Sequence, residues 1–143
     1  MKKFFLYLII LISFNLYSQK GDEKKVQTFA FDTTVDEKER KKLREGIAQF
    51  TSDLKTSNHK AILYRSRAWL YIRLKEYTAA ISDLSKVIEL EPDEAESYFL
   101  RGLCKKYSQK TYIQTSCDDF KKAKELNFQK VDWNSFGKEC VNQ

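Results

Sequence analysis

The sequence predicts an all-α protein built as a short stack of helix pairs. Three observations carry that prediction. The chain repeats itself at one fixed offset: Gly46 falls on Ala80, Ile47 on Ile81, Phe50 on Leu84, Leu54 on Ile88, Asn58 on Pro92, Ala61 on Ala95, Tyr64 on Tyr98 and Ala68 on Gly102. A second self-match follows at an offset two positions longer, with Ala80 on Ser116, Ile81 on Cys117, Asp83 on Asp119, Leu84 on Phe120, Lys86 on Lys122, Val87 on Ala123 and Leu90 on Leu126. Small residues meet small ones and large apolar ones meet large apolar ones, as stacked helix pairs require. Finally, the apolar positions inside each unit have helical spacing, and no segment alternates as a strand would.

The elements follow in chain order. Residues 1–18 are expected to be a cleaved export signal. Lys2 and Lys3 open it, Phe4 to Ile12 is an unbroken apolar run, and the small Ser18 precedes Gln19. That run is short for a bilayer, which takes about 20 residues. No cysteine precedes Cys104, so a lipid anchor at the cut has no acceptor thiol. The product is expected to be periplasmic or secreted, without stable membrane insertion. Removing 18 of 143 residues leaves 125, the size of one domain.

Residues 19–34 read as a polar, flexible leader, and 35–142 as the helical domain. The first helix is expected over about Val35–Thr56, with Thr34 and Glu37 as a capping box and Leu43, Ile47, Phe50 and Leu54 as its apolar stripe. The second spans about Lys60–Leu74 and the third about Thr78–Leu90. The fourth, about Asp93–Tyr107, opens just after Pro92, the only proline, where a missing amide proton costs nothing. The fifth covers about Thr115–Leu126, and the two extra positions of the second match fall in the turn Lys106 to Gln114. A sixth, about Lys130–Cys140, either caps the end of the stack or binds a partner.

Composition narrows the function. Of 26 basic residues, Lys2 and Lys3 lie in the signal, leaving 24 against 20 acidic ones, a net charge of +4. The signs are interspersed, which argues against nucleic acid as a partner. His59 is the only histidine and sits in an interhelical turn. A lone imidazole supports neither nucleophilic nor metal chemistry, and no glycine-rich phosphate loop is present. Asp118, Asp119, Glu89 and Glu91 fit solvated helix faces. An enzyme, a cofactor and a metal site are therefore not expected.

The stretch "AILYRSRAWLYIRLKEYTAAISDLSKVIELEPDE", residues 61–94, resembles a tetratricopeptide repeat (TPR). Tyr64, Ala68, Tyr71, Tyr77, Ala80, Leu84, Val87 and Pro92 carry the likeness; Arg67 stands where the family usually has leucine. Residues 95–128 resemble a looser second repeat, with Tyr98, Gly102, Ser116, Phe120 and Ala123 in place but Lys105 for the second aromatic and no closing proline. Residues 46–58 resemble the second helix of a degenerate leading repeat. The likeness is to a small exported bacterial TPR protein.

The resemblance implies a noncatalytic scaffold or adaptor that binds protein or peptide along a concave face lined by the first helix of each pair. Its groove positions would be Arg65, Trp69 and Arg73, then Phe99, Leu103 and Lys106. That mixture of cations and apolar side chains suits a partner with acidic groups and apolar anchors. Alternatively, Trp69 and Phe99 pack against neighbouring helices and the chain is a permanently docked accessory subunit. In stacked repeats the second helix of one pair packs on the first of the next. Ile81 then approaches Cys104, and at the longer offset Cys117 approaches Cys140. A Cys117–Cys140 disulfide would contribute about 3 kcal/mol on the chain-entropy model, with Cys104 a buried thiol. Three unrelated small core residues are the other reading.

Overall fold

A computed structural model of the chain describes residues 34–108, 113–131, 133 and 140. The expected signal, the leader, part of the insertion turn and most of the sixth helix lie outside these residues. The described part consists of five helices: α1 (Glu37–Asp53), α2 (Lys60–Arg73), α3 (Tyr77–Leu90), α4 (Ala95–Ser108) and α5 (Ile113–Glu125). Among the described residues there is no strand, and no helix is long and apolar enough to cross a membrane. Each helix packs mainly on its neighbours in sequence, giving the expected zigzag stack.

The helix ends explain where the expected boundaries shift. Asp36, not Thr34, caps α1: its carboxylate accepts the Glu39 N–H at 2.7 Å. Aspartate satisfies a free amide as well as threonine does and adds a favourable charge at the positive end of the helix. Glu91 breaks the α3 hydrogen-bond run at φ −133° and ψ 76°, directly before Pro92. The α4 helix starts at Ala95 rather than Asp93, because Glu94 serves as its cap and accepts the Ser97 N–H at 2.6 Å.

Two other ends share one device. After α2, Lys75 takes φ 60°, the Lys75 N–H reaches the Ile72 carbonyl at 2.9 Å and the Glu76 N–H reaches Tyr71 at 2.9 Å. After α5, Asn127 takes φ 60°, with Asn127 on Lys124 and Phe128 on Ala123, both at 3.0 Å. Both are Schellman closures that occupy the last free carbonyls. Lysine at a left-handed position is the less comfortable of the two residues.

The core runs along the seam that the sequence period marks. Ala68, Ile72, Ala80, Leu84, Phe99, Leu100, Leu103, Cys104, Phe120, Ala123 and Phe128 form one buried cluster. Small residues sit where helices come closest. A methyl group on Gly102 would stand 2.6 Å from the Phe120 ring, and one on Gly46 2.8 Å from the tip of Leu70. In α1 no residue is fully buried, so it covers the first pair with one side only.

Candidate functional site

Two kinds of polar arrangement lie in the stack, one internal and one on the surface. The internal one is a repeated arginine–aspartate fork. Arg67 on α2 donates from Nε and Nη2 to both carboxylate oxygens of Asp83 on α3, at 2.8 and 2.7 Å. Its remaining Nη1 donates to the Thr51 hydroxyl on α1 at 2.8 Å. The guanidinium also lies 5.7 Å from the Tyr64 ring centre and 5.9 Å from that of Tyr71. Asp83 is 5% exposed. Its hydrogen bonds raise the Arg67 pKa above the ordinary arginine value, so the guanidinium keeps its charge.

The next layer repeats the arrangement. Arg101 on α4 donates to Asp119 on α5 at 3.0 and 2.6 Å and to the Ser85 hydroxyl on α3 at 3.1 Å, with the Tyr98 ring 5.7 Å away. Lys105 adds a second cation, 2.8 Å from Asp119. Thr51 and Ser85, like Arg67 and Arg101, are related by the shorter of the two sequence offsets, and the two aspartates by the longer. Each fork therefore ties three consecutive helices together. Asp119 is buried, which corrects its expected place on a solvated face, whereas Asp118 is exposed as expected. The sequence signal was present: an arginine in register with an arginine, and an aspartate with an aspartate.

The surface arrangement concerns the six expected groove residues. Arg65, Trp69 and Arg73 come at successive turns of α2 and all three are half-buried. Arg65 stands 3.6 Å from both Glu91 and Glu94, and Arg73 pairs with Glu39 on α1. Trp69 packs against the core with part of its ring outside. Lys106 is exposed at the end of α4. Phe99 and Leu103, however, are buried. Phe128 and Trp133 cover Phe99, and Leu103 lies in the same buried cluster, so neither is presented to a ligand. That removes two of the six residues from the face. Beside it, Ile62 and Leu90 are exposed large apolar side chains.

Cys117 and Cys140 are joined, with their Cα atoms 5.3 Å apart, and are the pair that the longer sequence offset singles out. Cys104 remains a thiol in the core, where burial pushes its pKa up to about 12 and keeps it protonated and unreactive. His59 is exposed ahead of α2, and its side chain makes no cap for that helix. Among the described residues no group of His, Cys, Asp and Glu could hold a metal ion.

The family model for the tetratricopeptide repeat matches residues 62–94. The chain carries a tetratricopeptide repeat. The matched stretch is α2 and α3, the pair that holds the Arg67–Asp83 fork and the half-exposed Trp69. Such repeats are protein-interaction scaffolds and are typically noncatalytic. Two curated relatives are both named Protein SGT1 homolog. The one from Bos taurus is 28% identical over 94 residues, covering 66% of this chain and 27% of the relative. The one from Oryza sativa subsp. japonica is 38% identical over 53 residues, covering 37% and 14%. The chain thus spans less than a third of the length of either relative. No solved structure matches.

Proposed function

We propose that this chain is an exported, noncatalytic adaptor that holds a protein or peptide on the open face of its first complete repeat. The observation that carries the proposal is the row Arg65, Trp69 and Arg73 on α2, half-exposed where Phe99 and Leu103 of α4 are covered. A partly exposed indole flanked by two guanidiniums is a recurrent anchor for peptide side chains. Ile62 and Leu90 extend the apolar part of that surface.

The same row favours a partner with acidic groups beside an apolar anchor. Arg65 holds Glu91 and Glu94 at 3.6 Å, beyond direct hydrogen-bond distance. A partner carboxylate that forks onto this guanidinium makes shorter bonds than those it displaces. Lys106 lies exposed on α4 and contributes a further cation to the rim.

Export is supported by Lys2, Lys3 and the apolar run that follows them. The joined Cys117 and Cys140 agree with it, since disulfides persist in oxidising compartments. The test is a pull-down from envelope or culture-supernatant extracts with the wild-type chain, Trp69→Ala and Arg65→Ala. The expected result is a partner captured by the wild type and lost from both variants. Equal capture by all three would remove the groove from the account. Detection of the chain only in the cytoplasm, with residues 1–18 retained, would remove export.

A further inference from the structure

Acidic and basic residues alternate along the sequence, but the fold does not distribute their charges evenly. The Arg44–Glu76 fork and the Tyr77–Tyr107 ring contact bring the start of α1, the α2–α3 turn and the close of α4 together at one corner of the stack. At this corner each arginine takes an acid. Arg40 lies 3.7 Å from Glu37, Arg44 binds Glu76, and Arg73 pairs with Glu39. Asp36 is occupied as the α1 cap, where it accepts the Glu39 N–H.

The lysines are left over. Lys41 and Lys42 follow Lys38 by three and four positions, so the three share the face of α1 turned away from the half-buried Leu43, Ile47 and Phe50. All three are exposed, as is Lys75 in the turn that Arg44 reaches through Glu76. None of these four lysines makes an ion pair with another described residue. Glu45 is the exposed acid on that face. Lys75 is notable for its backbone: it sits at φ 60°, a left-handed conformation that asparagine fills more comfortably at 127. A cation stands there all the same. Tyr107 is exposed at the same corner.

We propose that this corner docks the chain on a bilayer surface rich in anionic phospholipid headgroups, without entering the hydrocarbon. Two features favour headgroups over an acidic protein. The unpaired cations are all lysines, compact charges on flexible stems that lack the fork with which arginine recognises one fixed carboxylate. Lysine is also depleted from the cores of protein interfaces, where aromatic and apolar anchors dominate, and on α1 the large apolar side chains face inward. Lysines spread along a helix face and the adjoining turn match a diffuse layer of phosphate, each adding attraction near a negatively charged leaflet. Tyrosine suits the headgroup level, which gives Tyr107 a place in the same contact. This surface is separate from the row proposed for peptide capture, so Trp69→Ala should leave it unchanged.

The test sediments the full chain with vesicles of phosphatidylcholine, alone or mixed with phosphatidylglycerol. The apolar run Phe4 to Ile12 is present in every chain compared, so differences between variants report the lysines. The expected result is stronger binding to the anionic vesicles. That excess should vanish between about 0.1 and 1 M salt, as the Debye length falls from about 10 to about 3 Å. Each single change of Lys38, Lys41, Lys42 or Lys75 to glutamine should lower partitioning about fivefold, and the fourfold variant about a hundredfold or more. A second fourfold variant, with Lys55, Lys60, Lys86 and Lys124 changed to glutamine, removes the same charge from elsewhere on the exposed surface and should bind close to wild type. Equal binding to both kinds of vesicle, equal losses in the two fourfold variants, or no loss in the first would each overturn the proposal. Capture of polyglutamate without vesicle binding would overturn it too, and would assign the four lysines to an acidic protein.

Discussion

At equal register the two helix pairs present opposite surfaces. The α2–α3 pair leaves Arg65, Trp69 and Arg73 partly in solvent, while the α4–α5 pair buries Leu103 in the core and Phe99 beneath Phe128 and Trp133. Their interiors, by contrast, are nearly the same: an arginine forked onto an aspartate and bonded back to a hydroxyl on the preceding helix. The repeated geometry lies inside and the variation lies outside. A repeat therefore fixes how the helices meet, and the side chains left over decide whether a face is available to a partner.

The comparison can be broken most strongly at the covered face. Phe99→Ala deletes a fully buried ring that meets the rings of Phe120, Phe128 and Trp133, and should lower unfolding stability by about 3–5 kcal/mol. Trp69→Ala, at the half-exposed face, should cost less than half as much in the same urea titration. Equal losses would mean that the first face is as closed as the second.

A smaller effect sharpens the contrast between the two forks. Arg67→Met leaves the Asp83 carboxylate buried without the cation that holds it, and should cost about 3 kcal/mol. Arg101→Met leaves Asp119 with Lys105 at 2.8 Å, and should cost about half of that. Thermal unfolding of both variants checks the order. A larger loss for Arg101→Met would show that Lys105 does not compensate.

The smallest effects differ in sign. Gly102→Ala drives a methyl group into the Phe120 ring, which buried neighbours hold in place, and should destabilise by about 1–3 kcal/mol. Gly46→Ala meets only the end of Leu70, which is half-buried and can change rotamer. There the helix-propensity gain of alanine should leave stability unchanged or raised by up to about 1 kcal/mol. Denaturant midpoints of the two variants are the measurement.

The same contrast shows what the sequence made legible. The seam residues Ala68, Ala80, Leu84, Gly102 and Phe120 announce themselves by period, because a packed helix face repeats its sizes. All five helices fall within about two residues of their expected ends, except the first at its C-terminus, and the later starts of α1 and α4 trace to Asp36 and Glu94 as caps. Asp119 was misplaced because a carboxylate looks alike in sequence whether it meets water or a guanidinium. Arg67 stood out as a departure from the usual leucine, yet its partner Asp83 became visible only with α2 and α3 side by side. Phe99 and Leu103 are groove positions only by the family resemblance. Phe99 is covered by Phe128 and Trp133 beyond α5, and no local pattern records that return.

The forks also bear on how the stack melts. Each guanidinium holds a hydroxyl from the helix before it and a carboxylate from the helix after it, so Arg67 spans α1 to α3 and Arg101 spans α3 to α5. The two spans share α3, through Asp83 in one and Ser85 in the other. In a linear array, stability is divided between the units and the couplings between adjacent units. Here the couplings overlap on one helix, and losing α3 dissolves both at once. The shared helix therefore couples the two ends, and the array should unfold as one cooperative unit.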